Sequence, residues 1–171
     1  MKYHVIYNSF TGNTEELAQH IQQVLGKEKC GVFGPAGKIV LSEGVVCAGF
    51  WTDKGSCTSE MADFLAHLEN RQVFLFGTAG FGAKQEYYDQ ILERVQENLP
   101  ENNQIIGQFM CQGRMPDRVR TRYEAMLKEN PGDTQLQAMI ANFDQALSHP
   151  SNTDLKKLTQ ILKNTVEPLL N

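Results

Sequence analysis

The sequence predicts an α/β protein: a doubly wound, five-stranded parallel sheet with extra helices after the fifth strand. Two observations lead there. Short apolar runs alternate with segments of helical period from residue 3 to residue 111, the rhythm of β-α-β units joined by right-handed crossovers. The apolar runs also lack a clean in–out alternation, as expected of strands covered on both faces. A third observation sets the limit. Past residue 111 the helical period continues, but no further strand-like run appears.

The elements follow in order. "YHVIY" (3–7) reads as the first strand, and a helix over 14–25 shows one face of Leu17, Ala18, Ile21, Val24 and Leu25. "KIVL" (38–41) reads as an edge strand, since it sits in the Gly/Pro-broken stretch that begins "GVFGPAG". "GVVCAGF" (44–50), "QVFLFG" (72–77) and "IIGQFMC" (105–111) read as buried strands. Between them, 58–69 carries the face Met61, Phe64, Leu65 and Leu68, and 84–99 the face Tyr88, Ile91, Leu92, Val95 and Leu99. Three helical segments follow: 116–128, 134–147 (Leu136, Met139, Ile140, Phe143, Leu147) and 153–167 (Leu155, Leu158, Ile161, Leu162, Val166). "NPGD" and "HPSN" separate them. A five-stranded sheet needs one closing helix, expected to be the last, so residues 115–149 form a helical insertion within a single domain over 1–171.

Composition narrows the function. With 171 residues the chain can bury a sizeable core. A net charge of −4 speaks against nucleic acid or an anionic membrane as partner, because both select clustered cations. No apolar run approaches the ~18–20 residues that span a bilayer. Polar "NSFTGNT" follows residue 7, so no secretory signal opens the chain and a cytoplasmic location is expected. Cys30, Cys47, Cys57 and Cys111 form no CxxC pair and are expected to be reduced thiols. The histidines, His4, His20, His67 and His149, are dispersed, and no metal site is expected.

In a doubly wound sheet a ligand sits beyond the carboxyl ends of the strands. The loops after strands 1, 3, 4 and 5 are therefore the places to search. The first, Ser9-Phe10-Thr11-Gly12-Asn13-Thr14, offers hydroxyls and backbone N–H groups at a helix start, where the dipole favours an anion. Ser9, Thr11 and Thr14 can donate to phosphate oxygens, and Gly12 permits close approach. The loop has no Lys or Arg, which suits a monophosphate better than a triphosphate. The plainer reading is a helix cap by Asn13 or Thr11, with Glu15 and Glu16 in the first turn. The loop after strand 3, "GFWTDKGSC", holds the only tryptophan, Trp51. The loop after strand 4, "GTAGFGAK", lacks the nucleotide-triphosphate pattern, since Ala83 separates Gly82 from Lys84 and no Ser or Thr follows.

"VIYNSFTGNTEELAQHI" resembles the phosphate-loop signature of flavodoxins throughout: an aliphatic pair, an aromatic, Ser9, Gly12, Thr14, Ala18 and Ile21 at the family's spacing. The resemblance implies a flavodoxin-like fold with strand order 2-1-3-4-5 and bound FMN, its phosphate in the first loop. It implies an aromatic against the flavin ring from the second loop, Trp51 or Phe50. It makes Gly55 and the Asp53–Lys54 peptide candidates for the carbonyl that meets flavin N5–H. In the third loop Thr78, Ala79, Gly80 and Phe81 match, by position, the groups that meet the pyrimidine ring and its other face. In the fourth, "CQGRM", Cys111, Gln112 and Gly113 lie at the strand end. Cys111 there could tune a flavin, react, or merely close the core, and Cys57 is its nearest disulfide partner by loop position. Together "GFWTDKG", "GTAG", "CQGRM" and "SHPSNTDL" resemble a branch of flavodoxin-like proteins some of whose members accompany reductases, including those that reduce bilirubin.

The function this implies is electron transfer through FMN, from a separate reductase to a partner redox enzyme, with no catalytic residue of the chain's own. The alternative is an FMN-dependent reductase of a quinone or similar small molecule. The chain lacks the acidic surplus of flavodoxins, so docking would rest on a local patch or less on charge. Arg114, Arg118, Arg120 and Arg122 cluster at the start of the insertion, with 114, 118 and 122 on one helix face. They either meet an acidic partner near the flavin edge or form a solvated face paired with Asp117 and Glu124.

Overall fold

Successive residues of the central strands point to opposite sides of the sheet, and both sides are buried. The computed structural model describes residues 1–82 and 84–171, so Ala83 lies outside the described residues. The strands are β1 (Tyr3–Tyr7), β2 (Cys30–Pro35), β3 (Val45–Trp51), β4 (Gln72–Ala79) and β5 (Gln104–Gln112). All pairings are parallel, in the order β2-β1-β3-β4-β5. On one face Val5, Cys47, Phe74, Phe76 and Phe109 meet Leu17, Ile21, Leu158 and Leu162 from α1 (Asn13–Leu25) and α6 (Asn152–Thr165). On the other, Ile6, Ala48, Phe50 and Leu75 meet Met61, Leu65, Ile91 and Val95 from α2 (Ser59–Ala66) and α3 (Gln85–Gln96). The last helix therefore closes the sheet, as expected.

Two phenylalanines fix the centre of the sheet. Phe76 on β4 lies over Gly49 on β3, and Phe50 on β3 lies over Gly77 on β4. Each ring occupies the space a side chain on the neighbouring strand would fill. A Cβ built at Gly77 would stand 2.5 Å from Cζ of Phe50.

The second strand corrects the sequence expectation. It is "CGVFGP", not "KIVL". The free edge of β1 is taken by residues 30–35, with a register shift between Tyr3 and Val5. His4 fills that irregularity: its Nδ1 accepts from Val32 N–H at 3.1 Å, and its Nε2 faces the Ser42 carbonyl at 3.1 Å. The segment 38–41 instead lies outside the sheet. Ile39 and Leu41 pack against the second core cluster while Val40 is 96% exposed. Its in–out pattern imitates a strand without a ladder.

Helices α4 (Asp117–Glu129) and α5 (Thr134–Ala146) form the insertion and pack on each other. Their buried residues, Tyr123, Leu136, Phe143 and Ala146, belong to neither main cluster. Leu147, expected on the apolar face of α5, is 49% exposed, and Ala146 turns inward in its place.

Candidate functional site

The first loop closes β1 and opens α1. Gly12 is the helix N-cap at φ 89, a left-handed conformation that glycine adopts without penalty, and it has no side chain with which to cap the helix. The expected caps are used otherwise. Thr11 donates its hydroxyl to the Arg114 carbonyl (3.1 Å), and Asn13 Nδ2 donates to that carbonyl (2.8 Å) and to Thr11 Oγ1 (2.8 Å). Ser9 Oγ accepts from the Glu15 N–H (3.2 Å). Among the described residues none of the backbone N–H groups from Ser9 to Thr14 has an acceptor within the protein. A built Cβ on Gly12 meets nothing within 4 Å. The loop thus presents a row of unpaired donors at the positive end of a helix, with open space above them.

Asn13 adds a second signal. The residue is 5% exposed, and its Oδ1 is a buried acceptor with no partner. A buried polar atom without a partner costs on the order of 1–3 kcal/mol, so a donor from a ligand would offset it.

Thr14 is engaged within the protein. It is fully buried, and its hydroxyl bonds the Phe50 carbonyl (3.3 Å) and Thr78 Oγ1 (3.0 Å). It ties the first turn of α1 to the ends of β3 and β4. Thr78 is equally committed: its carbonyl accepts from Thr52 N–H and Thr52 Oγ1, both at 2.9 Å.

The second loop separates the two aromatic candidates. Phe50 is 1% exposed and belongs to the core over Gly77, so its ring is not available to a ligand. Trp51 is half-buried at the strand end, where its ring stacks on Phe10 with centroids 5.1 Å apart at 30°. Phe10 is 54% exposed, and the Arg118 guanidinium lies 5.5 Å from its ring centre. Asp53-Lys54-Gly55-Ser56 is a tight turn with left-handed φ at Lys54 (51) and Gly55 (80), closed by Asp53 N–H to Ser56 O at 2.8 Å. The Gly55 carbonyl accepts from Arg94 Nη1 of α3 at 3.2 Å, which engages one of the two carbonyls expected to face a flavin.

The third and fourth loops are joined by the insertion. Gly80 O accepts from Gln112 Nε2 (3.0 Å) and from Asn142 Nδ2 (3.1 Å) of α5, and Met115 packs on Gly80. Gly82 N–H donates to Asn142 Oδ1 at 3.4 Å. Ala79 O accepts the Gly113 N–H at 2.9 Å, and Phe81 remains 41% exposed. Gly113 itself lies against Asn13: a built Cβ would stand 2.5 Å from Asn13 Nδ2. Cys111 is a core residue, and burial pushes its thiol well above the ordinary range, with Asp154 and Glu16 adding to the shift. It is a free thiol, and Cys57 packs with the cluster on the other face of the sheet, so the two are not bonded.

Arg114 and Asn142 were not singled out as site residues by sequence. Arg114 pairs with Glu16 (3.2 Å) and donates to His149 O (3.1 Å), while its own carbonyl meets the first loop. Its place in "CQGRM" and in the arginine cluster were its signals, and Asn142 carried none.

A cleft of about 490 Å³ opens beside the loop, lined by Tyr7, Ser9, Glu15, Trp51, Thr58 and Glu60 among others. A larger cavity, about 550 Å³, runs along β5 between α3 and α6 and shares only Cys111 and Gln112 with the candidate site. The unpaired donors and the orphan acceptor belong to the first loop, so the chemistry is placed there. Among the described residues no cluster could hold a metal ion, and no helix is long and apolar enough to cross a membrane.

Comparison with known proteins agrees with this geometry. The family described as "Flavodoxin domain" matches residues 4–163. A "Flavodoxin-like domain-containing protein BilS" of Clostridium symbiosum (strain WAL-14163) is 39% identical over 183 residues, 97% of this chain and 96% of that protein. A protein of the same description from Clostridioides difficile (strain CD3) is 30% identical, covering 96% of each chain. Among solved structures, a flavodoxin from the domain Archaea superposes with a TM-score of 0.50 at 12% identity, over 99% of both chains. The rubredoxin oxygen:oxidoreductase of Desulfovibrio gigas superposes at 0.54 and 14% identity over 99% of this chain, which spans 36% of that longer one. Sequence likeness across nearly the whole length, on a sheet of order 2-1-3-4-5 with its polar loop after β1, leaves one conclusion: the chain belongs to the flavodoxin domain family.

Proposed function

We propose that this protein is an FMN-binding electron carrier that takes electrons from a separate reductase and passes them to a partner redox enzyme. The observation that carries the proposal is the row of backbone N–H groups from Ser9 to Thr14 without acceptors, at the start of α1. Such a row suits the phosphate of a mononucleotide. Asn13 Oδ1, buried and unpartnered, suits a hydroxyl donor from the same ligand. Trp51 and Phe10 supply aromatic surface for a planar ring. The residues present therefore fit FMN. When bound, FMN supplies one- and two-electron chemistry, and the chain's part is to hold it and limit water. Thr11 and Asn13 orient the phosphate end, the Thr14 hydroxyl fixes the start of α1 to the ends of β3 and β4, and Asn142 with Gln112 holds the Gly80 backbone in place.

Trp51 is the only tryptophan, so its emission reports on the site. Titration with FMN is expected to quench it at one equivalent. Thr11→Val is expected to weaken binding by about 1–3 kcal/mol, because the loop loses the hydroxyl that bonds the Arg114 carbonyl and Asn13 Nδ2 and so holds the N–H row in place. Unquenched emission in excess FMN, with no flavin retained on gel filtration, would refute cofactor binding. Steady NADH or NADPH oxidation by the isolated flavin-loaded protein with an added quinone would refute the carrier reading and make it a reductase.

A further inference from the structure

Among the described residues Arg118 and Arg122 are the two arginines of the insertion that no carboxylate pairs, and Lys128, in the last turn of α4, is a third unpaired cation farther along the helix. Arg114 is paired with Glu16, and Arg120 is paired with both Asp144 and Glu124. Among the described residues Arg118 and Arg122 make no ion pair, and both are exposed. They stand four residues apart on α4, hence on one face of the helix. Arg118 is placed against Phe10, and Phe10 against Trp51, so the charged face of α4 borders the aromatic mouth of the site. One carboxylate, Asp117, is adjacent in sequence, and Glu15 and Glu60 lie in the cleft beside Trp51. The mouth is thus acidic along the cleft and basic along α4, on a chain whose net charge is −4.

We propose that this face of α4 is a docking surface for an acidic patch on the redox partner, with Arg118 and Arg122 as its two charge contacts. Charge complementarity is the argument. Two unpaired guanidinium groups on an otherwise acidic chain orient an incoming protein and favour carboxylates, which they can bind through two parallel hydrogen bonds. Contact there sets the partner against Phe10 and Trp51. The proposal deepens the carrier reading and rests on it for the partner's identity, but the surface itself can be tested without flavin.

The test uses the full chain and poly-L-glutamate as the acidic probe, followed through Trp51 emission and calorimetry at low ionic strength. The wild type is expected to bind the probe, with affinity falling as salt rises. Arg118→Glu with Arg122→Glu should weaken binding by about tenfold or more. Lys156→Glu with Lys163→Glu, which reverses two exposed charges on α6, should weaken it by less than about twofold. Equal loss in the two double variants would mean that only net charge matters and would overturn the proposal. So would full retention in R118E/R122E, or no binding by the wild type. Arg118→Gln with Arg122→Gln gives the same reading with a milder change should the reversed variant fold poorly. FMN uptake, measured separately by flavin absorbance, fails or succeeds independently of these outcomes.

Discussion

Replacing Thr14 by valine separates the scaffold from the ligand loop. The side chain is fully buried, and its hydroxyl joins the Phe50 carbonyl to Thr78 Oγ1 at 3.3 and 3.0 Å. Valine fills the same space, so no cavity arises, and the cost is polar. Thr78, 3% exposed, loses the partner of its hydroxyl, and the Phe50 carbonyl loses a donor. One buried unsatisfied group costs about 1–3 kcal/mol. For a domain of this length about 2 kcal/mol corresponds to a fall of roughly 4–8 °C in Tm. Urea unfolding followed by circular dichroism should show the loss with an unchanged slope. In Thr14→Val/Thr78→Val both hydroxyls are gone, so the second substitution should cost less than it does alone, with a coupling of about 1 kcal/mol. The N–H row survives in Thr14→Val, so FMN affinity should stay within about threefold, or ~0.6 kcal/mol. Strict additivity of the pair, or loss of binding as large as in Thr11→Val with unchanged stability, would refute this account and return the Thr14 hydroxyl to the ligand.

Gly113→Ala should destabilise the protein by about 1–3 kcal/mol and weaken FMN binding, because the added methyl would stand 2.9 Å from Asn13 Cβ as well as 2.5 Å from its Nδ2; equal stability and affinity would show that the loops can separate freely. Stability should also fall as pH drops below about 6.5. Burial lowers the pKa of His4, whose Nδ1 must accept from Val32 N–H, and burial lowers that of His20 as well. A folded value below the unfolded one means that the unfolded chain binds more protons in that window, so stability is full above the unfolded value and is lost toward the folded one. Imidazole titration by NMR checks the sign, and a value for either residue at or above 6.5 would refute it. His20→Gln should flatten the acid limb while keeping a polar group that can reach Thr159 Oγ1, which the ring's Nε2 meets at 2.7 Å.

Most of the fold was legible because its signals are local. Four strands and six helices follow from apolar runs and helical period, and the structure moves their ends by only a few residues. The second strand was not, because pairing is a contest between segments. Residues 30–35 carry Gly31, Gly34 and Pro35, poor strand formers, yet the bulge that they make is filled by the His4 ring. Nothing near residue 31 announces a histidine 27 positions away. The hydrogen bonds of Thr14 were hidden for a similar reason. Its place in the loop suits phosphate, but the carbonyl and hydroxyl that capture it come from β3 and β4.

The choice between Phe50 and Trp51 was legible in principle, through parity. Along β3, Val46, Ala48 and Phe50 face α2 and α3, while Val45 and Cys47 face α1 and α6. Trp51 continues the second set. It must emerge on the α1 side of the sheet, and the start of α1 is the loop that carries the unpaired N–H groups. The stacking of Trp51 on Phe10 is the direct consequence. Parity cannot reach the insertion, which has its own small core and touches the site through isolated groups: the Arg114 carbonyl, the Arg118 guanidinium, the Asn142 amide and the Met115 thioether. They come from three separate stretches of chain, and the Arg114 carbonyl and the Asn142 amide each make more than one contact. No period or motif collects such residues, and so the part of the molecule that borders the mouth most closely is the part that sequence describes least.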